Sequence, residues 1–337
     1  MNDARSDAMN DAAWRGLGLE PLDTFVEARA RAGLSSRGLG LRRAAEGLGD
    51  RLREGPKAVR IEALALDRRP CTTRAACDGA WKTSARETTL TWRALYLELS
   101  IGGAQRRVLV DPVEPGAWRG TPWGGRPRRG AGDAGTRIED ALAGLGVSPD
   151  TIDLVLLSHL RGQDLRRLVG TARGDGLQGP LPGVFRRARW LVDHDAWAAR
   201  TRPHDAERAY WSRDGLQGVE AVEACRADLS LGAGAAWVSS PGWSEGQRTL
   251  FVNTARGVMA WSAHGVSRGC WSPYHARLPG LRARVRSVNA ECIPRGDGLC
   301  RMSALDGMAM ERAATSRCPD APEMHLVWPQ QVLDGDG

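Results

Sequence analysis

The sequence predicts a mixed α/β protein in which two mixed β-sheets pack face to face, with helices on the outside. Three observations lead there. Apolar β runs come as hairpin pairs, at residues 91–111 and 247–262. Between the pairs, helical periodicity alternates with single buried strands, as in "TRIEDALAGLGVSPDTIDLVLLSH" and "FRRARWLVDHDAWAAR". No fixed-period repeat and no low-complexity tract interrupts this order. Repeated βα crossovers alone would suggest one doubly wound parallel sheet. Hairpins require antiparallel neighbours, so they argue for two sheets with outer helices.

Element by element, residues 1–55 read as a peripheral helical extension. "PLDTFVEARARAGL" and "GLRRAAEGLGDRLREG" space apolar residues by three and four, and Pro56 ends the pattern. "KAVRIEALAL" (57–66) reads as a strand, and 67–87, with Pro70, as loop. "TTLTWRALYLELSIGGAQRRVLVDP" is a hairpin turning at Gly102-Gly103 and ending at Asp111-Pro112. "RGTPWGGRPRRGAG" (119–132) is a basic loop. A helix, a turn at Ser148-Pro149 and a buried strand then run to His159. "DLRRLVG" starts another helix, a strand and helix follow from Phe185, and "GAAWVSS" leads into the second hairpin. The helix around "SALDGMAMERAATSR" and the strand "EMHLVWP" close the chain. Domain organisation follows: residues 1–55 as an added segment, 56–337 as one mixed domain.

Composition narrows the function. The chain has 337 residues and is 42% hydrophobic, enough for one large core. No apolar run reaches the roughly 18 residues a membrane span needs, and the first residues lack a secretory apolar stretch. A soluble, cytoplasmic protein is expected. The net charge is +7, but only Lys57 and Lys82 are lysine, and the arginines are interleaved with 40 acidic residues. An unclustered excess of this kind marks solvated surface rather than a phosphate-binding face, so nucleic acid is not an expected partner. The seven cysteines are odd in number and form no C-x-x-C pair, which points to free thiols rather than a disulfide framework or zinc ribbon.

The stretch with most chemistry is "TIDLVLLSHLRGQDLRRL" (151–168). A buried strand that ends in a histidine, His159, can deliver a metal ligand at a sheet edge or merely hydrogen-bond across that edge. The next positions are Arg161, Gln163 and Asp164. Arginine has no lone pair to give a metal, and Asp164 stands where a helix cap would. His264 ends the second hairpin and reads first as a hydrogen-bonded hairpin residue, ahead of a ligand. His194, His204 and His275 carry no motif. Trp190, Trp197 and Trp211 read as core. No G-x-S-x-G elbow occurs, so a serine hydrolase is weakly supported.

The order of "VLVDP", "IDLVLLSHLRGQDLRRL", "FRRARWLVDHDAW", "VSSPGWSEGQRTLFV" and "GVMAWSAHGV" resembles the metallo-β-lactamase superfamily, over about residues 88–328. A bacterial subgroup with H-L-H-x-Q-D-L-R-R at the first motif is similar at Gln163, Asp164, Arg166 and Arg167. The resemblance implies an αββα four-layer sandwich and a metal-dependent hydrolase of esters, lactones or similar acyl compounds. The family motif H-x-H-x-D-H begins at His159, but its second histidine falls on Arg161, its aspartate on Gln163 and its last histidine on Asp164. Trp243 takes the histidine of P-G-H, and His264 the place of a bridging aspartate. His325 aligns loosely with a last histidine. The metal set so implied is His159, Asp164, His264 and His325, with Asp164 and Arg161 as the groups acting on substrate. The departures imply no metal or a single zinc or iron ion, with Arg161 paired to Asp164 or reaching into the cleft and Trp243 excluding water. The alternative reading is a non-catalytic protein that binds an anionic small molecule or a partner in the former active-site cleft.

Overall fold

The computed structural model describes residues 14, 16–72, 76–78, 87–117, 135–172, 179–212, 214–277 and 280–333. The basic stretch 119–132 lies outside the described residues. In chain order the elements are β1 (Glu20–Pro21), α1 (Val26–Arg29), α2 (Leu34–Glu54), β2 (Arg60–Thr72), β3 (Glu87–Ile101) and β4 (Ala104–Val110). Next come α3 (Ile138–Ala143), β5 (Leu154–Leu157), α4 (Arg166–Val169), β6 (Arg189–Asp193), α5 (His194–Ala199) and α6 (Asp205–Arg208). The chain continues through β7 (Glu223–Cys225), β8 (Leu229–Ser230), β9 (Ala235–Ser239), β10 (Arg248–Thr254), β11 (Gly257–Ser262), α7 (Leu281–Val288) and α8 (Arg301–Ala314). It ends with β12 (Arg317–Cys318), β13 (Ala321–His325), β14 (Val327–Pro329) and β15 (Gln331–Leu333).

Two mixed sheets form, as the hairpins predict. One has the order β1-β8-β9-β10-β11-β14; the other runs β15-β3-β4-β5-β6-β7, with β2 also on β3. The β3–β4 hairpin turns where expected, because Gly102 and Gly103 both hold positive φ (58° and 78°), which a tight two-residue turn demands. β4 through β7 are parallel neighbours, and β11 pairs in parallel with β14.

The layers can be read from alternation along single strands. On β3, Leu95, Leu97, Leu99 and Ile101 face a core shared with Trp237, Leu250, Val252, Met259 and Trp261 of the other sheet. The even-numbered Leu90, Trp92, Ala94 and Tyr96 of the same strand face the outer cluster, with Leu41, Ala45, Leu48 and Leu52 of α2 and Met308 of α8 among its members. β5 alternates likewise, Leu154 and Leu156 inward and Val155 and Leu157 outward. Strands buried on both faces carry continuous apolar runs, which is why "LVLL" and "ALYLEL" show no polar alternation.

Two segments differ from expectation. β2 continues to Thr72 through Pro70, because it pairs only with β3 and an edge strand tolerates a residue with no N–H. The N-terminal segment does not stand apart: β1 pairs with β8, and α2 lies against α8 with its apolar face buried. Burying Leu48 and Leu52 there contributes on the order of 1.5–3 kcal/mol each. None of the seven cysteines is bridged. Among the described residues no helix is long and apolar enough to cross a membrane.

Candidate functional site

β5 ends at Leu157, and Ser158 and His159 follow at the edge of the sheet. Asp111, just past β4, fixes that edge. Its carboxylate accepts hydrogen bonds from Ser158 N (2.6 Å), Ser158 Oγ (2.7 Å) and Trp261 Nε1 (2.9 Å), so it joins β4, β5 and β11 of the opposite sheet. It does so at φ 52°, a left-handed conformation uncommon outside glycine, asparagine and aspartate. Burial pushes its pKa up to about 6, with the three donors opposing.

Residues 154–163 are buried throughout, so the loop after the strand is sealed rather than opened onto a cleft. His159 Nε2 donates to Gln330 Oε1 at 2.6 Å, and its ring stands edge-on to Trp243, centroids 4.5 Å apart. Nδ1 has no partner among the described residues. Burial, reinforced by Arg295 and Arg161, holds the imidazole neutral, with its pKa pushed down to about 3.

Arg161 is fully buried and is the centre of the arrangement. Its Nε donates to Glu207 Oε1 (2.9 Å), and Nη1 donates to the Asp297 carbonyl (2.9 Å) and to Asp297 Oδ2 (3.4 Å). Its guanidinium lies 4.8 Å from the Tyr210 ring centroid and 4.9 Å from that of Trp243. Trp243 Nε1 donates to the same Asp297 Oδ2 at 2.9 Å, and Arg295 stands 4.2 Å over the Trp243 ring. Arg295 also donates to Asp297 Oδ1 and to Gln331 Oε1. Two guanidinium groups thus face two carboxylates, Glu207 and Asp297, around one indole. A buried arginine needs paired carboxylates of this kind, and among the described residues Arg161 Nη2 and Glu207 Oε2 are still left without a hydrogen-bond partner.

The pairing expected between Arg161 and Asp164 does not form. Asp164 lies outside the cluster and takes Arg166 in a two-pronged bond (3.0 and 2.6 Å), while also accepting from Arg166 N. A partner two residues away, beside solvent, competes better than one committed to two buried carboxylates. Nor does Arg161 reach toward solvent as a free positive charge. Gln163 is buried, and neither atom of its amide has a partner among the described residues.

The two other histidines sit elsewhere. His264 Nδ1 donates to Glu311 Oε1 at 2.8 Å, and that carboxylate also accepts from Thr249 Oγ1 (2.6 Å) and Trp271 Nε1 (2.6 Å). His264 lies against Gly307 of α8, where a Cβ would stand 2.5 Å from Cε1. Gly307→Ala is therefore expected to cost about 1–3 kcal/mol from overpacking, more than the ~1 kcal/mol alanine gains in a helix; thermal melting checks it, and an unchanged or raised Tm would refute the contact. His325 Nδ1 contacts Thr315 Oγ1, and Arg312 Nε donates to its Nε2, both at 3.4 Å. Burial and the charges of Arg317 and Arg312 push its pKa down to about 3.

These residues do not fit a zinc or iron ion. Such a site needs three or more free lone pairs converging on one point. Among the described residues no three histidine, cysteine or carboxylate side chains gather in that way. His159 Nδ1 and His264 Nε2 keep free lone pairs, but Asp164 is held by Arg166, and the two rings are anchored to different partners, Gln330 and Glu311. Glu207, Asp297, Arg295, Tyr210 and Glu311 were not visible as site residues in the sequence. Their segments read only as helix or loop, and nothing local marks a carboxylate that will meet an arginine across the fold.

No family model and no curated protein matches the chain. Solved structures do. One is a probable metal-dependent hydrolase from Staphylococcus aureus, 16% identical, covering 68% of this chain and 82% of that one at a TM-score of 0.50. Another is AidC, a dizinc quorum-quenching lactonase, 10% identical, covering 84% and 92% at a TM-score of 0.50. At such identity the likeness is one of fold: the chain has the αββα fold of the metallo-β-lactamase superfamily, which the sequence motifs implied.

Proposed function

We propose that this chain works without a catalytic metal, as a binding protein built on a hydrolase fold. One observation carries the reading. The place that a metal-binding histidine would take is held by Arg161, whose buried guanidinium is neutralised by Glu207 and Asp297 and flanked by Tyr210 and Trp243. A positive charge so held opposes a cation in the same space, and Trp243 fills the position of a further ligand. Without a metal to lower the pKa of water, the strand edge offers only the Ser158 hydroxyl, which is buried and gives its proton to Asp111. The other reading, a mononuclear hydrolase of esters or lactones, needs His159, Asp164 and His264 to converge, and their hydrogen bonds draw them to separate partners.

The test is metal content together with chelation. Purified protein is expected to carry well under one equivalent of zinc or iron, and chelator is expected to leave Tm unchanged. Tight binding would stabilise the fold by about 4 kcal/mol at a thousandfold excess over Kd, a shift of several degrees. A large chelator-induced drop reversed by zinc, or zinc-dependent hydrolysis of a lactone or ester panel, would overturn the proposal.

A further inference from the structure

A pocket of about 200 Å³ lies between the N-terminal helices and the body of the fold, and none of its lining residues belongs to the buried arginine cluster. Arg29 of α1, Arg37 and Leu41 of α2, Ser240 after β9, and Asp306 and Met310 of α8 line it. Its size is below that of a typical drug-sized site and suits a small metabolite.

The polar groups on its wall differ in what they can still do. Arg29 is committed: it gives two hydrogen bonds to Asp228 and one to the Ser239 carbonyl. Arg37 is not. Among the described residues it spends one donor, Nη2, on Asp306 Oδ2 at a long 3.4 Å, and the two side chains are 32% and 24% exposed. An ion pair so loosely held and part-solvated contributes little and is easily opened by a better partner.

Ser240 supplies the third group, and the network behind it sets its polarity. Thr249 Oγ1 donates its one proton to Glu311 Oε1 at 2.6 Å. The 2.8 Å contact between Ser240 Oγ and Thr249 Oγ1 must then run from Ser240 to Thr249. The serine, 2% exposed, is left as an acceptor on the pocket wall. The pocket thus offers a guanidinium donor, a carboxylate and an oriented hydroxyl acceptor, with Leu41 and Met310 for apolar contact.

We infer that this pocket binds a small zwitterion, an α-amino acid with a short apolar side chain. Its carboxylate takes Arg37, its ammonium lies between Asp306 and Ser240 Oγ, and its side chain rests on Leu41 and Met310. An anion alone would leave Asp306 opposed, and a cation alone would leave Arg37 unused. This inference stands independently of whether the chain uses a metal.

The experiment is saturation-transfer NMR on the full chain with each of the twenty standard amino acids, at on the order of 10 mM to allow for a millimolar Kd. At least one aliphatic amino acid is expected to bind. Its N-acetyl derivative and its methyl ester should each bind at least about tenfold more weakly, the loss expected when one charged contact goes. Arg37→Gln and Asp306→Asn alter part-exposed side chains and should keep the wild-type circular dichroism while weakening the amino acid by a similar factor. Silence from all twenty, equal binding of the N-acetyl form, or undiminished binding by both variants would overturn the inference.

Discussion

Arg161→Leu is expected to lower Tm by roughly 8 °C, from a loss of about 3–5 kcal/mol at about 2 °C per kcal/mol for a chain of this length. The cost does not come from the arginine's own contacts. Glu207, fully buried, would keep only the hydrogen bond from Glu245 N at 3.1 Å. Asp297 would fare better, since Arg295 and Trp243 Nε1 still donate to it. A buried carboxylate left without its cation is the largest single penalty available in this region. The pair Arg161→Leu/Glu207→Leu should therefore melt above the single variant, because removing both partners removes the uncompensated charge. Urea denaturation of the wild type, both single variants and the double variant closes the cycle. A loss under about 1 kcal/mol for Arg161→Leu, or a double variant that is strictly additive, would show that the cluster is not organised around this ion pair.

The same cluster shows where the sequence could be read and where it could not. Gly102-Gly103 announced the first hairpin because positive φ at two successive residues has few other uses. The unbroken apolar runs of β3 and β5 announced strands covered on both faces. Pro70 hid the end of β2, because a proline argues against a strand unless the strand is known to lie at an edge. His159 and Arg161 were legible as a departure from a motif, but their partners were not. Gln330 lies 171 residues from His159, and Glu207 and Asp297 lie 46 and 136 residues from Arg161. Only the three-dimensional arrangement decides which of 40 acidic residues reaches a buried guanidinium. The Arg161–Asp164 pairing that the motif suggests loses to local competition, since Arg166, two residues on, meets Asp164 with two hydrogen bonds.

Acid should destabilise the fold in a way that traces to its buried histidines. His159 has its folded pKa pushed from 6.5 to about 3, by burial first and by the facing guanidinium groups of Arg295 and Arg161 next. The unfolded chain therefore binds a proton between pH 6.5 and 3 that the folded chain refuses. Stability from this group is present above the unfolded pKa and is lost as pH falls, about 2 kcal/mol by pH 5. His325, lowered to about 3 beside Arg317 and Arg312, acts in the same direction. Asp111 opposes them: its folded pKa is raised from 3.8 to about 6, so the folded state takes up a proton first and gains about 1 kcal/mol between pH 7 and 5. The wild type is thus expected to lose stability from pH 7 to pH 5, with the two signs separable by substitution. His159→Gln should flatten the dependence by about 2 kcal/mol, and Asp111→Asn should steepen it by about 1 kcal/mol, whatever each does to stability at pH 7. Chemical denaturation at half-unit steps from pH 7.5 to pH 4.5 measures these slopes. If His159→Gln retains the wild-type slope, the histidine titrates normally in the folded protein, and the sealed arrangement around Arg161 and Trp243 is not what keeps its proton away.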